Sequence, residues 1–242
     1  MGADAAATSH LLCTDESAFS AATQHPWLRL VGQGRLPASA QLAWLKQDRL
    51  YALSYVSFIG GLLAKVTIPT GADRTSTLEW RIAATLIDAL VGIKRELAMF
   101  EDVLRDEFGW GTGSGKAGSE TVQPEPPTAR YQQLFADASS PACPLIVGLT
   151  ALWATEKCYL EAWRFAKRQQ PDGSEDVFHR TLIPNWTSPD FEAFVEALRC
   201  LVDDSAARPD TTRQDREAME NMWRRILEVE RDFWPSVDER ED

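Results

Sequence analysis

Three carboxylate residues each interrupt an otherwise apolar stripe in a stretch with helical periodicity. They are Asp48, Glu156 and Glu230, and a tyrosine follows the first two by three residues, at Tyr51 and Tyr159. Residues three or four apart share one face of an α-helix, so each stripe carries its carboxylate to the inward face. A carboxylate buried without a partner is costly, and must be ion-paired, protonated or bound to a ligand. A structural ion pair explains one such residue, whereas three with adjacent tyrosines indicate a pocket.

Two glutamates that lie close together favour acid–base chemistry. Neighbouring carboxyl groups do not both ionise readily, so one keeps its proton beside a charged partner and the two titrate as a unit. Such a pair can protonate a leaving group while it activates water, which is the chemistry of hydrolysis.

Composition limits the class of protein. The 242 residues are 44% hydrophobic, enough for one sizeable domain with a full core. The formal net charge is −11 and no run of five Lys or Arg residues occurs, so we predict no nucleic-acid partner. The four cysteines form no CxxC motif and indicate free thiols in a reducing compartment. No apolar run reaches the ~18 residues of a membrane span, and the first residues lack a signal sequence, so we predict a cytoplasmic protein with no membrane partner.

Other chemistries have weak support in the sequence. The three histidines, His10, His25 and His179, do not form the repeated Glu-x-x-His motif of a di-iron bundle. The glycine-rich segment 109–116 lacks both the Gly-Lys-Ser/Thr ending and the preceding strand of a phosphate-binding loop. Cys158 has no histidine nearby in the sequence to activate it as a nucleophile. We therefore predict no metal and no cofactor, with haem or di-iron oxidation as a minor alternative.

Helical periodicity without two-residue alternation predicts an all-α fold. A helical stretch near residues 16–30 is interrupted at Pro26, and the others cover about residues 38–66, 77–108, 128–137, 144–168, 189–203 and 212–237. These stretches predict a bundle of seven or eight helices. We expect residues 1–12 to be a disordered tail and residues 13–238 a single domain with a flexible Gly/Pro loop at 109–127.

Four segments resemble the TenA/THI-4 (thiaminase II) family. They are His25-Pro26-Trp27, the Trp44–Tyr51 run, Pro127-Thr128-Ala129-Arg130-Tyr131, and Glu230-Arg231-Asp232-Phe233-Trp234. The Gln-Asp-x-x-Tyr and Glu-x-x-Phe-Trp elements within them are the specific ones. The resemblance implies a bundle with the haem-oxygenase-like fold over most of the chain, and the Gly/Pro loop as a lengthened connection.

One departure from the family pattern indicates the branch. Better-known members carry a catalytic cysteine four residues before a tyrosine in the central helix, and Thr155 occupies that position before Tyr159. The segment around Glu156 instead resembles the cysteine-less TenA_E branch of plants and fungi, which includes plant PM36-like proteins. In that branch a glutamate pair is thought to replace the thiol, and the pair maps onto Glu156 and Glu230.

The resemblance implies a hydrolase of aminopyrimidine or formylaminopyrimidine products of thiamin breakdown, which yields hydroxymethylpyrimidine for thiamin salvage. One of the two glutamates would protonate the leaving nitrogen and the other would activate water, in an order the sequence leaves open. Asp48 would accept from the exocyclic amine of the ring. The remaining binding residues implied are Tyr51, Tyr131, Tyr159 and Thr155. The Thr155 hydroxyl would hold the attacking water, or else face its own helix.

An alternative function remains open at this stage. A chain that keeps the pocket and has lost the chemistry would be a catalytically inactive pyrimidine-binding or regulatory protein of the same fold. The family also forms dimers and tetramers, so the resemblance implies a homo-oligomer.

Overall fold

α-Helices form the framework of the residues that the structure describes. The computed structural model describes residues 6–111, 121–174 and 176–237. The helices in chain order are α1 (Ala7–Thr14), α2 (Glu16–Thr23), α3 (Pro26–Gly32), α4 (Ala38–Leu63), α5 (Leu78–Asp106), α6 (Pro126–Ser139), α7 (Leu145–Arg168), α8 (Ile183–Trp186), α9 (Pro189–Ala206) and α10 (Arg213–Phe233). A π-helical turn, Phe178–Leu182, leads into α8. No β-strand occurs within these ranges, and the all-α prediction is confirmed.

Local sequence signals account for several helix starts. Pro26 begins α3, where its missing N–H is not needed, and the His25 ring accepts a hydrogen bond from the backbone N–H of Trp27. This start separates α2 from α3, as the break at Pro26 predicts. The last helix, α10, begins with a capping box in which Thr212 and Asp215 satisfy each other's backbone N–H groups.

The central helix is α7, which is buried on nearly every side. It packs against α10, α9, α3 and α2, and α4 packs in turn against α5 and α6. Gly148 lets α7 approach α6 closely, because a Cβ there would lie 3.0 Å from the carbonyl oxygen of Ala138. A charged residue on α7 is therefore surrounded by other helices, and this fixes the environment of Glu156.

Aromatic rings from the family-like segments meet in one cluster beside α7. Trp27 and Trp44 have ring centroids 5.0 Å apart, and Trp44 stacks on Trp234 at 5.9 Å. Trp163 stacks on Trp186 at 4.7 Å, and the two remain within ring contact of Trp44. The Trp234 indole also donates a 2.8 Å hydrogen bond to the carbonyl of Ala22. This aromatic cluster joins the ends of α3 and α10 to the middle of the bundle.

The prediction of a disordered tail over residues 1–12 is wrong where it meets α1. The backbone N–H and the hydroxyl of Thr8 donate to the Asp203 carboxylate at 2.9 and 3.0 Å, and Leu11 is buried in the core. These partners on α9 lie far away in the sequence, so the Ala-rich segment gave no local sign of them. Residues 1–5 of the predicted tail, and residues 112–120 of the predicted loop at 109–127, lie outside the described residues.

One hydrophobic core runs through the described helices. The described helices include none long and apolar enough to cross a membrane. The carboxylates of interest lie within that core and not on its surface.

Candidate active site

Asp48 is buried in the middle of α4 and is 1% exposed. The Tyr159 hydroxyl donates a 2.7 Å hydrogen bond to its Oδ1 atom, while Oδ2 has no partner among the described residues. Burial raises the pKa of this carboxyl to about 8, the Tyr159 hydrogen bond opposes the shift, and the Glu156 charge adds to it. Asp48 thus has one oxygen fixed by Tyr159 and one buried oxygen without a hydrogen-bond partner among the described residues.

Glu230 repeats this arrangement on α10. It is 1% exposed, and the Tyr131 hydroxyl donates to its Oε1 atom at 2.5 Å. Its Oε2 atom has no hydrogen-bond partner among the described residues. Burial raises the pKa of Glu230 to about 8, against the Tyr131 hydrogen bond and with added repulsion from Glu156 and Asp48.

Glu156 lies on α7, and its charge acts on both Asp48 and Glu230. It is 8% exposed, and the Tyr55 hydroxyl on α4 interacts with its carboxyl. Burial raises its pKa to about 7, while the Tyr55 hydrogen bond opposes the shift. Unlike Asp48 and Glu230, Glu156 lines an open cavity.

Asp48, Glu156 and Glu230 lie near enough for their charges to interact, and we call these three acids the carboxyl cluster. The charge of Glu156 contributes to the raised pKa of both other members. Among the described residues, neither a direct hydrogen bond between Glu156 and Glu230 nor an ion pair from Lys or Arg to any member is found. Each acid instead has its own tyrosine. The cluster is therefore poised near neutral pH by burial, without a cation to hold it ionised.

The predicted binding tyrosines surround this cluster. The rings of Tyr51 and Tyr159 are nearly parallel, with centroids 6.2 Å apart and an interplanar angle of 7°. Tyr131 meets Tyr51 edge-on at 4.9 Å, and all three side chains are buried. Flat aromatic faces beside buried carboxyl oxygens suit a flat heterocycle with polar edges.

Thr155 is fully buried beside the cluster. Its Oγ1 atom has no hydrogen-bond partner among the described residues and faces the Tyr131 hydroxyl. Thr150, on the same helix, instead donates to the carbonyl of Ile146 at 2.9 Å. The Thr155 hydroxyl thus makes no hydrogen bond to its own helix, and the polar group it faces is the Tyr131 hydroxyl.

A cavity of about 370 Å³ opens next to the cluster. Its inner end is formed by Tyr51, Tyr55, Glu156 and Tyr159, which come from α4 and α7. Its walls come from α5 and from the α8–α9 region, and they include Ile93, Glu96, Met99, Trp186, Phe191 and Phe194. This volume accommodates a small heterocycle together with a substituent.

Two polar residues that line this cavity beside Glu156 were not predicted as site residues. Tyr55 is one of them, and its hydroxyl interacts with Glu156. Glu96 was not singled out, although it lies three residues after the buried Ile93 and four before the buried Phe100. The spacing that identified Asp48 would also have identified Glu96.

The residues that the structure describes contain no arrangement suited to metal binding or to thiol catalysis. No group of three or more His, Cys, Asp or Glu side chains has the geometry to hold a metal ion there. The four cysteines are free, and burial raises the pKa of the Cys158 thiol well above its usual value. Cys158 is thus a poor nucleophile.

Known proteins resemble this chain along most of its length. A TenA homologue from Pyrococcus furiosus superposes with a TM-score of 0.77 at 19% identity, covering 94% of this chain and 98% of that one. A probable bifunctional TENA-E protein from Glycine max is 20% identical, over 89% of this chain and 86% of its own length. A probable transcription factor from Fusarium pseudograminearum is 25% identical over 88% of this chain, which spans only 49% of that protein.

The sequence profile of the TENA/THI-4/PQQC family matches residues 16–239. This match includes the whole carboxyl cluster, its tyrosines and the aromatic cluster. The structural likeness agrees with it, since the described helices adopt the bundle of TenA proteins. The chain therefore belongs to the TENA/THI-4/PQQC family.

Proposed function

We propose that the chain is a hydrolase of aminopyrimidine or formylaminopyrimidine products of thiamin breakdown, of the cysteine-less TenA_E type. The observation that carries the proposal is the carboxyl cluster, because three buried acids without a cation lie among tyrosine rings beside an open cavity. Membership of the family supports a thiamin-related substrate. The similarity to a protein named TENA-E supports the branch.

Asp48 would bind the ring. With a pKa of about 8 it holds its proton at neutral pH, and a neutral carboxyl offers one donor and one acceptor side by side. An aminopyrimidine edge presents the matching pair, a ring nitrogen that accepts and an amine that donates. The unpartnered Oδ2 atom would carry the proton and donate to the ring nitrogen, and Oδ1, which has a second lone pair beside the Tyr159 hydrogen bond, would accept from the amine. Tyr51 and Tyr159 would supply the flat walls and Tyr131 the edge.

Glu156 and Glu230 would carry out the hydrolysis. The oxygen of water bonds to the exocyclic methylene carbon, and the carbon–nitrogen bond breaks with its electron pair going to nitrogen. A nitrogen that arrives neutral, as in the formamide, takes a proton from one glutamate, whereas an amine bound as its ammonium form already carries that proton and leaves as ammonia. In both cases the other glutamate takes a proton from the water. With pKa values of about 7 and about 8, the two glutamates supply an acid and a base at the same neutral pH. The hydroxyl of Thr155, which is buried beside Tyr131, would hold the water.

Product analysis with purified protein tests the proposal. The aminomethyl aminopyrimidine and its N-formyl derivative are each incubated with the protein, and hydroxymethylpyrimidine is followed by chromatography. Glu230→Gln should reduce turnover by about 10²-fold or more, the usual contribution of a general acid or base. Glu228→Gln, on the exposed side of α10, makes the same change of charge and should leave turnover unchanged.

Two outcomes would contradict the proposal. Wild-type turnover in Glu230→Gln would show that Glu230 does no chemistry. Tight binding of the pyrimidines without any turnover would favour the inactive binding or regulatory protein, a function that the name of the Fusarium relative also raises. The dimer or tetramer implied by the family resemblance, and the cytoplasmic location, stay predictions.

A further inference from the structure

Glu96 is a fourth carboxylate of the site, and the proposed reaction does not use it. It lies on α5, is partly buried, and lines the cavity across from the carboxyl cluster. The indole N–H of Trp186 is its hydrogen-bond donor. No lysine or arginine forms an ion pair with it among the residues described here.

Glu96 and Glu156 approach the same space from two different helices. Both line the cavity, and the charges of Asp48 and Glu156 add to the burial that raises the pKa of Glu96 well above its usual value. One turn before Glu96, an added Cβ at Gly92 would meet no atom within 4 Å, so the wall there is open. Glu96 and Glu156 therefore border one open cavity.

The lining of the cavity is predominantly acidic. The charged residues that line it are four acids and one base, namely Asp88, Glu96, Glu156, Asp190 and Arg95. Such a lining attracts cations and repels anions such as phosphate esters. Glu156 is the member of the carboxyl cluster that lines this cavity, so a leaving group beside Glu156 would lie against this acidic lining.

We propose that Glu96 is a specificity-determining residue that accepts a hydrogen bond from a protonated nitrogen on the leaving side of the substrate. The cationic amine is then preferred over the neutral formamide. This inference rests on the proposed function for the identity of the ring and of the reaction. Its physical basis is that a cation between Glu96 and Glu156 would stabilise both carboxylates, whereas a neutral amide would leave their repulsion unrelieved.

A merely structural role for Glu96 makes a different prediction. If Glu96 served only to orient Trp186, its replacement would affect all substrates alike, whatever their charge. The two roles are therefore separated by the ratio of kcat/KM for the amine to kcat/KM for the formamide, and not by either value alone.

The experiment compares wild type, Glu96→Gln and Asp102→Asn on both substrates. Glu96→Gln keeps a hydrogen-bond acceptor for Trp186 and removes the charge, so the ratio should fall by about tenfold or more, mainly through a higher KM for the amine. Asp102→Asn removes a charge from the same helix at an exposed position outside the cavity, and should leave the ratio unchanged. An unchanged ratio in Glu96→Gln would overturn the inference.

A binding measurement keeps the inference testable if the reaction itself proves wrong. Benzylamine and benzyl alcohol share an aromatic ring and differ in charge, and their affinities are measured by calorimetry. Preference for the amine in wild type, lost in Glu96→Gln, supports the role of Glu96 even if neither pyrimidine is turned over. Equal affinities in wild type, a preference that survives Glu96→Gln, or no binding of either compound would overturn it.

Discussion

The Tyr131 hydroxyl, on α6, donates a 2.5 Å hydrogen bond to Oε1 of Glu230, on α10, and leaves Oε2 without a partner. A tyrosine 99 residues away in the sequence thus fixes one oxygen of a buried acid. Tyr159 does the same for Asp48. Asp48 and Glu230 are therefore held in the same way, each with one oxygen bonded to a tyrosine hydroxyl and the other without a partner among the described residues.

Tyr131→Phe should lower activity and shift the pH profile. The Tyr131 hydrogen bond opposes the rise in the Glu230 pKa, so its loss raises that pKa above the present value of about 8. Glu230 then keeps its proton to higher pH. The limb of the pH–kcat/KM profile that reports the Glu230 pKa should therefore shift to higher pH. The buried Oε1 atom also loses its donor, which should destabilise the fold by about 1–3 kcal/mol. A pH–rate profile and urea unfolding check both parts, and an unmoved profile would exclude Glu230 as a titrating group of the reaction.

Glu230→Gln should make the protein more stable than wild type at alkaline pH. The folded-state pKa of Glu230 is about 8, against 4.5 for an unperturbed glutamate, so the folded state holds the proton more tightly than the unfolded chain. The stability this contributes is fully present below about pH 4.5 and is lost as the pH rises through about 8. Glutamine mimics the protonated acid and does not titrate.

The free energies of unfolding of the two proteins should therefore agree near about pH 5 and diverge at higher pH, by at most about 1.4 kcal/mol per pH unit. Denaturant unfolding at several pH values gives the difference. Glu228→Gln, at an exposed position on the same helix, should show no such divergence. A variant less stable than wild type throughout would mean that Glu230 is ionised in the fold.

Asp48→Asn should retain ring binding, whereas Asp48→Leu should abolish it. A neutral aspartic acid and an asparagine both present one donor and one acceptor, so Asn should change the KM for the aminopyrimidine by less than about threefold. Leucine has similar volume and offers neither group. Steady-state kinetics distinguish the two, and a large loss of binding in Asp48→Asn would show instead that Asp48 binds the ring as an anion.

Thr155→Val should stabilise the protein and lower its kcat. The buried Oγ1 of Thr155 has no partner, so its replacement by a methyl group should raise the free energy of unfolding by about 1 kcal/mol. If the hydroxyl holds the attacking water, kcat should fall at the same time. Thr150→Val is the matched control, because its hydroxyl is satisfied by Ile146 and its loss should give no gain in stability. A stabilised variant with unchanged kcat would remove Thr155 from the reaction.

The sequence predicts the helices and the inward acids because both depend on local periodicity. Asp48, Glu156 and Glu230 were found from spacing alone, and all three are buried. The pairing of Asp48 with Tyr159, 111 residues apart, depends on how α4 packs near α7, which no local pattern encodes. Helix α1 was missed for the same reason, since its anchor Asp203 lies 195 residues from Thr8.

Trp234 lies one residue beyond the end of α10, and its indole N–H donates a hydrogen bond to the carbonyl of Ala22. Glu230 is one turn upstream, so this tether determines where fraying of the last helix can begin. Removal of Trp234 and the residues after it would let this fraying reach Glu230. The position of the Glu230 carboxyl would then depend on a last helical turn that lacks its anchor to Ala22.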